Sequence, residues 1–151
     1  MRSWIVVLTA ALVVGVPSTA MAQSSAPAGS PAAGNPSVEG MWINPMRTVV
    51  VRTGPCGAKL CGWIAWANPQ AQSDARDGGT DTLVGTELLE NYQRTESGAW
   101  SGTVFVVDMG KHLYSKIVQT SANALQIKGC ILGGLLCKSQ IWTRVDRMPG
   151  A

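Results

Sequence analysis

The sequence predicts a small all-β domain, either a sandwich or a barrel, on three observations. From residue 38 onward, short runs rich in β-branched and aromatic residues are separated by turn residues, at the spacing expected for an all-β fold. Several runs alternate apolar and polar residues, as in Leu125-Gln126-Ile127. No segment shows a long apolar stripe with the period of a helix. We therefore expect antiparallel strands that bury one face.

Four candidate strands lie in the first half of the domain. Residues 38–43 contain a Gly-x-Trp motif at 40–42, and residues 48–53 are β-branched at all positions but one. Residues 60–66 carry two tryptophans and an isoleucine. Residues 83–92, LVGTELLENY, fit either a strand or a short helix, because so short a run does not separate the two periods.

Four further candidate strands complete the domain. In the last of them Ile141, Thr143 and Val145 alternate with polar or bulky residues, which is typical of a half-buried strand. The four segments are 99–107, 113–120, 124–130 and 137–145.

The N-terminus has the features of a secretory signal peptide. Arg2 precedes an apolar run from Trp4 to Val16, and Ala20-Met21-Ala22 is the small-x-small pattern that precedes cleavage. The apolar run is shorter than the roughly 20 residues of a membrane span, so no transmembrane segment is predicted. We expect a periplasmic or secreted protein with a signal peptide at 1–22, a disordered Ala/Pro/Ser-rich tether at 23–37, one β domain at 38–147 and a flexible tail at 148–151.

The charge of the chain is too small to indicate a polyanionic partner. Twelve basic and nine acidic residues give a formal net charge of +3, and the basic residues form no run. This balance argues against nucleic acid, and against an anionic membrane as the main partner.

Four cysteines form two closely spaced pairs, Cys56 with Cys61 and Cys130 with Cys137. An even number of cysteines in a small exported domain predicts two disulfides. The spacings do not match a zinc site or a C-x-x-C redox motif. Each pair brackets a turn between two predicted strands, where facing positions lie roughly 4.5 to 5.5 Å apart, so we favour bonds within each hairpin. Four cysteines allow three connectivities, and a barrel that brings the two turns together would permit another.

Taken together, these motifs resemble a known family. The Gly-x-Trp of the first strand, CGAKLCGWIAW at 56–66, FVVDMGK at 105–111 and GCILGGLLCKSQIWTRV at 129–145 are similar to the bacterial exported proteins catalogued as domain of unknown function 2147. The resemblance covers nearly the whole chain after the tether. It implies a calycin-like, lipocalin-related fold, which is an antiparallel up-and-down β-barrel of about eight strands.

The resemblance also implies a structural role for Trp42 and Arg144. In lipocalin-like barrels a tryptophan of the first strand is covered by an arginine of the last strand, and these residues occupy similar places in the strand order. A guanidinium over an indole ring contributes about 0.5 to 2 kcal/mol. We expect this pair to close one end of the barrel.

No group of residues predicts catalysis. His112 is the only histidine, and neither a G-x-S-x-G motif nor a free cysteine accompanies it, so we interpret it as a solvated residue at the start of a strand. The aspartates Asp74, Asp77 and Asp81 lack the spacing of a calcium loop. We therefore predict no catalytic residue, no cofactor and no metal.

The remaining candidates concern a cavity. On the strand 60–66, Gly62, Ile64 and Trp66 should share one face, so Ile64 and Trp66, with Phe105, are candidate ligand-lining residues. Residues 67–82 contain no large apolar side chain and predict a long loop that could cover an open mouth.

Two functions remain open on the sequence. The first is a non-enzymatic barrel that binds a small apolar or amphipathic, lipid-like molecule. The second is a structural or interaction module of the cell envelope with a filled barrel and an envelope protein as its partner.

Overall fold

In the computed structural model, which describes residues 37–150, eight antiparallel strands form a closed barrel. Each strand pairs with the next along the chain, and β1 pairs with β8 to close the sheet. The predicted all-β, up-and-down barrel is confirmed. The elements are β1 (Gly40–Ile43), β2 (Val49–Cys56), β3 (Lys59–Ala67), α1 (Pro69–Asp77), β4 (Glu87–Arg94), β5 (Trp100–Val106), β6 (Lys111–Ser121), β7 (Ala124–Ile131) and β8 (Leu136–Val145). The predicted signal peptide, and the tether up to residue 36, lie outside the described residues.

Alternation along the strands separates an inner from an outer face. On β6, for example, Ser115 and Ile117 are fully buried while Lys116 and Val118 are exposed. The inward residues of all eight strands form one hydrophobic core. Its largest fully buried members are Trp42, Tyr92, Ile64, Leu89, Ile117 and Leu125.

The barrel has two unlike ends, because alternate connections lie at opposite ends of an up-and-down sheet. One end, which we call the mouth, carries the connections 44–48, 68–86, 107–110 and 132–135. The opposite end, which we call the closed end, carries the connections 57–58, 95–99 and 122–123 and the entering segment 37–39.

The segment 67–82, expected to be a structureless loop, contains the helix α1. The Asn68 side chain accepts a hydrogen bond from the backbone N–H of Ala71, and Pro69 occupies the first turn, which is a strong N-terminal signal for a helix. The helix buries only small residues, chiefly Ala75, and therefore shows no apolar stripe in the sequence. Its last turn packs on the β5–β6 connection, since a Cβ at Gly78 would collide with the Val107 carbonyl. The segment therefore lies beside the mouth as a packed helix.

The prediction that Ile64 and Trp66 share a face is wrong. Val50 pairs with Trp66 and Val51 pairs with Ile64, so Ala65 is an extra residue in β3 opposite β2. Such a bulge shifts the alternation by one residue. Ile64 is buried in the core, whereas Trp66 is half-buried and lies outside the core cluster.

Two further features complete the described chain. Residues 145–150 line a shallow surface groove together with Ile43 and Arg47, so Met148 and Pro149 of the predicted flexible tail are half-buried.

In the part of the chain that the structure describes, no helix is long and apolar enough to span a bilayer.

Candidate functional site

Trp42 and Arg144 lie directly opposite each other on β1 and β8, at the closed end. The guanidinium carbon of Arg144 lies 4.1 Å from the centre of the Trp42 ring. The indole N–H of Trp42 donates to the Val38 carbonyl at 3.0 Å and to the Thr53 hydroxyl at 3.1 Å. The ring is therefore fixed from both sides in the floor of the barrel.

Arg144 also ties together two separate segments of backbone, the entering segment 37–39 and the β6–β7 turn, through three carbonyls. Its Nε donates to the Ala122 carbonyl at 2.8 Å, and one terminal nitrogen donates to the Glu39 carbonyl at 2.9 Å. The other terminal nitrogen donates to the Ser37 carbonyl. A Cβ at Gly40 would collide with the guanidinium, so the glycine leaves the room that this side chain occupies. The pair is a structural closure.

The mouth half of the barrel contains a cavity of about 370 Å³ that is open to solvent. This volume lies within the roughly 300 to 1,000 Å³ of small-molecule sites. Apolar side chains form most of the wall and a few polar residues stand at the opening. The residues around the cavity are Asn44, Val49, Leu88, Leu89, Val104, Phe105, Val106, Val107, Asp108, Met109, Leu113, Ile127, Gly129, Lys138, Gln140 and Trp142.

The cavity exists partly because a glycine, which has no side chain, stands in its wall. Gly129 of β7 lines the cavity and pairs with Ser115 of β6, which in turn pairs with Gly102 of β5. A Cβ at Gly129 would meet only Val104, at 3.7 Å, so the wall there is open. A Cβ at Gly102 would instead lie 2.7 Å from the Tyr92 ring, which fills the core on the closed-end side. The glycine on β7 therefore borders empty space, and the glycine on β5 accommodates a ring.

Two fully buried hydroxyl groups lie close together in the core, outside the lining of the cavity. Tyr92 and Ser115 are both completely buried, and neither hydroxyl has a hydrogen-bond partner with acceptable geometry. Burial raises the pKa of the Tyr92 hydroxyl far above its ordinary value of 10.0; the neighbouring Ser115 hydroxyl lowers it in part, and the Glu90 charge adds to the rise. Tyr92 is therefore neutral wherever the protein is folded.

The polar residues at the opening differ in whether their side chains already have a hydrogen-bond or ion-pair partner. The Asn44 carboxamide oxygen accepts from the backbone N–H groups of Thr48 and Val49 at 2.8 and 3.1 Å and so fixes the β1–β2 turn. The Gln140 side chain accepts from the indole N–H of Trp142 at 3.0 Å. Lys138 is exposed and forms no ion pair with any residue from 37 to 150. A cation is therefore available at the edge of an apolar cavity.

The three candidate ligand-lining residues are separated by the fold. Phe105 borders the cavity, but its ring stacks on the His112 imidazole, with the ring centres 4.6 Å apart. Ile64 is buried in the core and Trp66 is displaced by the bulge, and neither lines the cavity. Trp142 lines it instead. The Trp142 side chain is buried, whereas Ile141, which alternates with it on β8, is 47 % exposed, so the inward face of this strand is the one that carries Trp142 and Gln140.

His112 lies on the outer face of β6. Its Nε2 is 3.0 Å from a carboxylate oxygen of Glu90, and its side chain is 54 % exposed. No serine or cysteine nucleophile is hydrogen-bonded to the imidazole among the described residues. The arrangement of His112, Glu90 and Phe105 is that of a surface contact between neighbouring strands.

The cysteines form the two disulfides expected from the sequence, and each stays within its own hairpin. Cys56–Cys61 staples the β2–β3 turn at the closed end, and Cys130–Cys137 staples the β7–β8 hairpin at the mouth. Within residues 37–150, no group of three or more His, Cys, Asp or Glu side chains could hold a metal ion.

Comparison with known proteins gives a family and a fold. The sequence profile of the family described as "Uncharacterized protein conserved in bacteria (DUF2147)" matches residues 40–144, which is more than half of the chain. Among solved structures, the fold is similar to protein HP1028 from the human pathogen Helicobacter pylori, described as belonging to the lipocalin family. The TM-score is 0.53 at 14 % identity, over 72 % of this chain and 83 % of the other. No curated protein has a significantly similar sequence.

Proposed function

The chain belongs to the bacterial family catalogued as DUF2147, and on that premise we propose that its barrel binds a small amphipathic molecule with an apolar body and an anionic end. The observation that carries this proposal is the cavity of about 370 Å³, which is walled by apolar side chains and bordered by Lys138. This space favours ligand binding over the alternative, a structural module with a filled barrel.

The cavity sets the orientation of the ligand. Leu89, Val104 and Ile127 offer only apolar contact, so an apolar chain or ring enters first. Lys138 stands at the opening, where an ammonium group can pair with a carboxylate or phosphate that remains near water. Asp108, also at the opening, disfavours a second negative charge on its side of the ligand.

We place this binding in an oxidising compartment outside the cytoplasm. Two disulfides in a domain of this size are typical of exported proteins, and a signal peptide at residues 1–22 would deliver the chain there. A binding protein without a catalytic group would then carry or sequester an envelope metabolite.

The test is a fluorescence titration of the purified barrel with fatty acids of increasing chain length, followed through the tryptophan emission to which Trp142 contributes. We expect saturable binding of one molecule per chain. Gly129→Ile should abolish it by filling the cavity, since isoleucine suits a strand and a Cβ is tolerated there. Gly54→Ile is the matched control, because Gly54 is also a strand glycine with free space around it and lies toward the closed end.

The anionic end has its own test. Lys138→Gln should weaken binding of a fatty acid by about tenfold and leave binding of the corresponding alcohol unchanged, as one lost ion pair predicts. Lys128→Gln, which removes an exposed cation from the adjacent strand, is the control. Equal binding by the Gly129→Ile and Gly54→Ile variants, or no saturable binding of any chain length, would exclude the cavity as the site.

A further inference from the structure

Exposed apolar side chains are concentrated at the mouth. Each of the four mouth connections contributes at least one large exposed hydrophobic residue, whereas the closed-end connections contribute none among the described residues. Leu135 is 87 % exposed, Met46 75 % and Leu132 72 %. We call the set Met46, Met109, Leu132, Leu135 and Leu136 the apolar rim.

The β7–β8 hairpin holds the most prominent part of this rim. β1 pairs only with Thr143–Val145 of β8, so the first part of the hairpin extends past its neighbour. Leu132, Gly133 and Gly134 have positive φ angles and turn the chain tightly. The Cys130–Cys137 bond joins the strands just behind that turn. The tip therefore stays extended, with its leucines directed into solvent.

Basic residues surround the same surface. The mouth connections on the hairpin side carry or adjoin three exposed cations, Arg47, Lys111 and Lys138, against one exposed carboxylate, Asp108. The other acidic residues of the mouth connections, Asp74, Asp77 and Asp81, belong with Arg76 to the connection that holds α1. The end of that helix packs against the 107–110 connection. Over the mouth as a whole these charges nearly cancel, so the excess of cations is confined to the hairpin side.

We infer that the apolar rim docks the mouth of the barrel onto an anionic phospholipid bilayer. Apolar residues on separate turns, with cations between them, match an interface in which side chains enter the acyl boundary and lysines meet phosphates. A protein partner fits less well, because charged residues are depleted from the cores of protein interfaces. The inference rests on the apolar rim and the cations beside it, and it needs no ligand in the cavity.

The test is flotation of residues 23–151 with vesicles of phosphatidylcholine and phosphatidylglycerol. Residues 23–151 are used because they contain all eight strands of the closed barrel. They also leave out the apolar run at 4–16, whose own affinity for lipid would obscure the contribution of the rim. We expect binding that weakens with salt and is much weaker on pure phosphatidylcholine. Leu132→Ser with Leu135→Ser should reduce the bound fraction on the order of tenfold. Val118→Ser with Ile141→Ser, which removes exposed apolar residues from the barrel side, should leave it unchanged.

A second pair of double variants tests the role of charge. Arg47→Gln with Lys111→Gln should lower binding to the anionic vesicles by roughly tenfold or more. Lys116→Gln with Lys128→Gln, which removes two cations from the barrel side, is the control. Gly129→Ile should still float, which separates docking from cavity binding. Absence of flotation, or equal losses in rim and side variants, would overturn the inference. So would a concentration-dependent dimer that the leucine variants abolish, because a second copy would then cover the rim.

Discussion

Removing Arg144 tests whether one side chain closes the barrel. In the Arg144→Ala variant, the Trp42 ring loses its cover and three backbone carbonyls lose their donor. The carbonyls belong to the entering segment 37–39 and to the β6–β7 turn, and Arg144 is the side chain that bonds to both. We expect the loss to destabilise the whole barrel, because these segments hold the β1–β8 seam together.

The magnitude follows from the contacts. A guanidinium 4.1 Å from an indole centre contributes about 0.5 to 2 kcal/mol. Each of the three hydrogen bonds contributes about 0.5 to 1.5 kcal/mol net, and the lower end applies because water reaches this side chain. The free energy of unfolding should therefore fall by about 2 to 3 kcal/mol. For a domain of this size that lowers Tm by roughly 10 °C.

The assay is urea unfolding followed by circular dichroism, with Arg94→Ala as the matched control. The Arg94 guanidinium lies over Trp100 at the longer distance of 5.8 Å and makes no side-chain hydrogen bond to any described residue. Its loss should cost under about 1 kcal/mol. Arg144→Lys keeps the charge but not the three-way donor geometry, so it should restore less than half of the loss. Equal destabilisation by the two alanine variants would refute the reasoning.

Three more predictions follow from the core and the mouth. Replacing Cys130 and Cys137 with serine should lower the free energy of unfolding by about 2 to 3 kcal/mol, measured by urea unfolding without reductant. Gly102→Ala should cost about 1 to 3 kcal/mol because its Cβ would lie 2.7 Å from the Tyr92 ring, whereas Gly129→Ala should be neutral or stabilising; thermal unfolding compares them. The raised pKa of Tyr92 means that the unfolded chain ionises first as pH rises above about 10, so folded stability falls there. Tyr92→Phe should therefore flatten the decline between pH 9 and 11, and an unchanged slope would contradict the assignment.

Most of the fold could be predicted because it depends on the alternation of apolar and polar residues, which is visible in the sequence of the strands. The segment 124–130 shows it in Leu125 and Ile127, and the structure buries both. The helix α1 was missed because its only packed residues are alanines, which give no apolar stripe. The cap formed by Asn68 and Pro69 was the signal that could have identified it.

The site was less predictable, because strand register and bulges decide which residues face inward. Trp66 was expected to face the interior with Ile64, but one extra residue, Ala65, separates them. The cavity depends on Gly129 having open space above it while Gly102 faces a ring. Both are glycines on strands, and the difference between them exists only once β5, β6 and β7 are aligned.

The lengths of β1 and β8 explain why the two ends of the barrel differ. β1 covers four residues and β8 covers ten, so the seam between them can form only over part of the height of the barrel. Where the seam forms, Trp42 and Arg144 meet and seal the interior. Where it does not, residues 136–142 of β8 have a strand partner on one side only, and the cavity opens there. Lengthening β1 by pairing the segment 44–46 with β8 would thus narrow the mouth and weaken ligand binding, although the apolar wall of the cavity would not change.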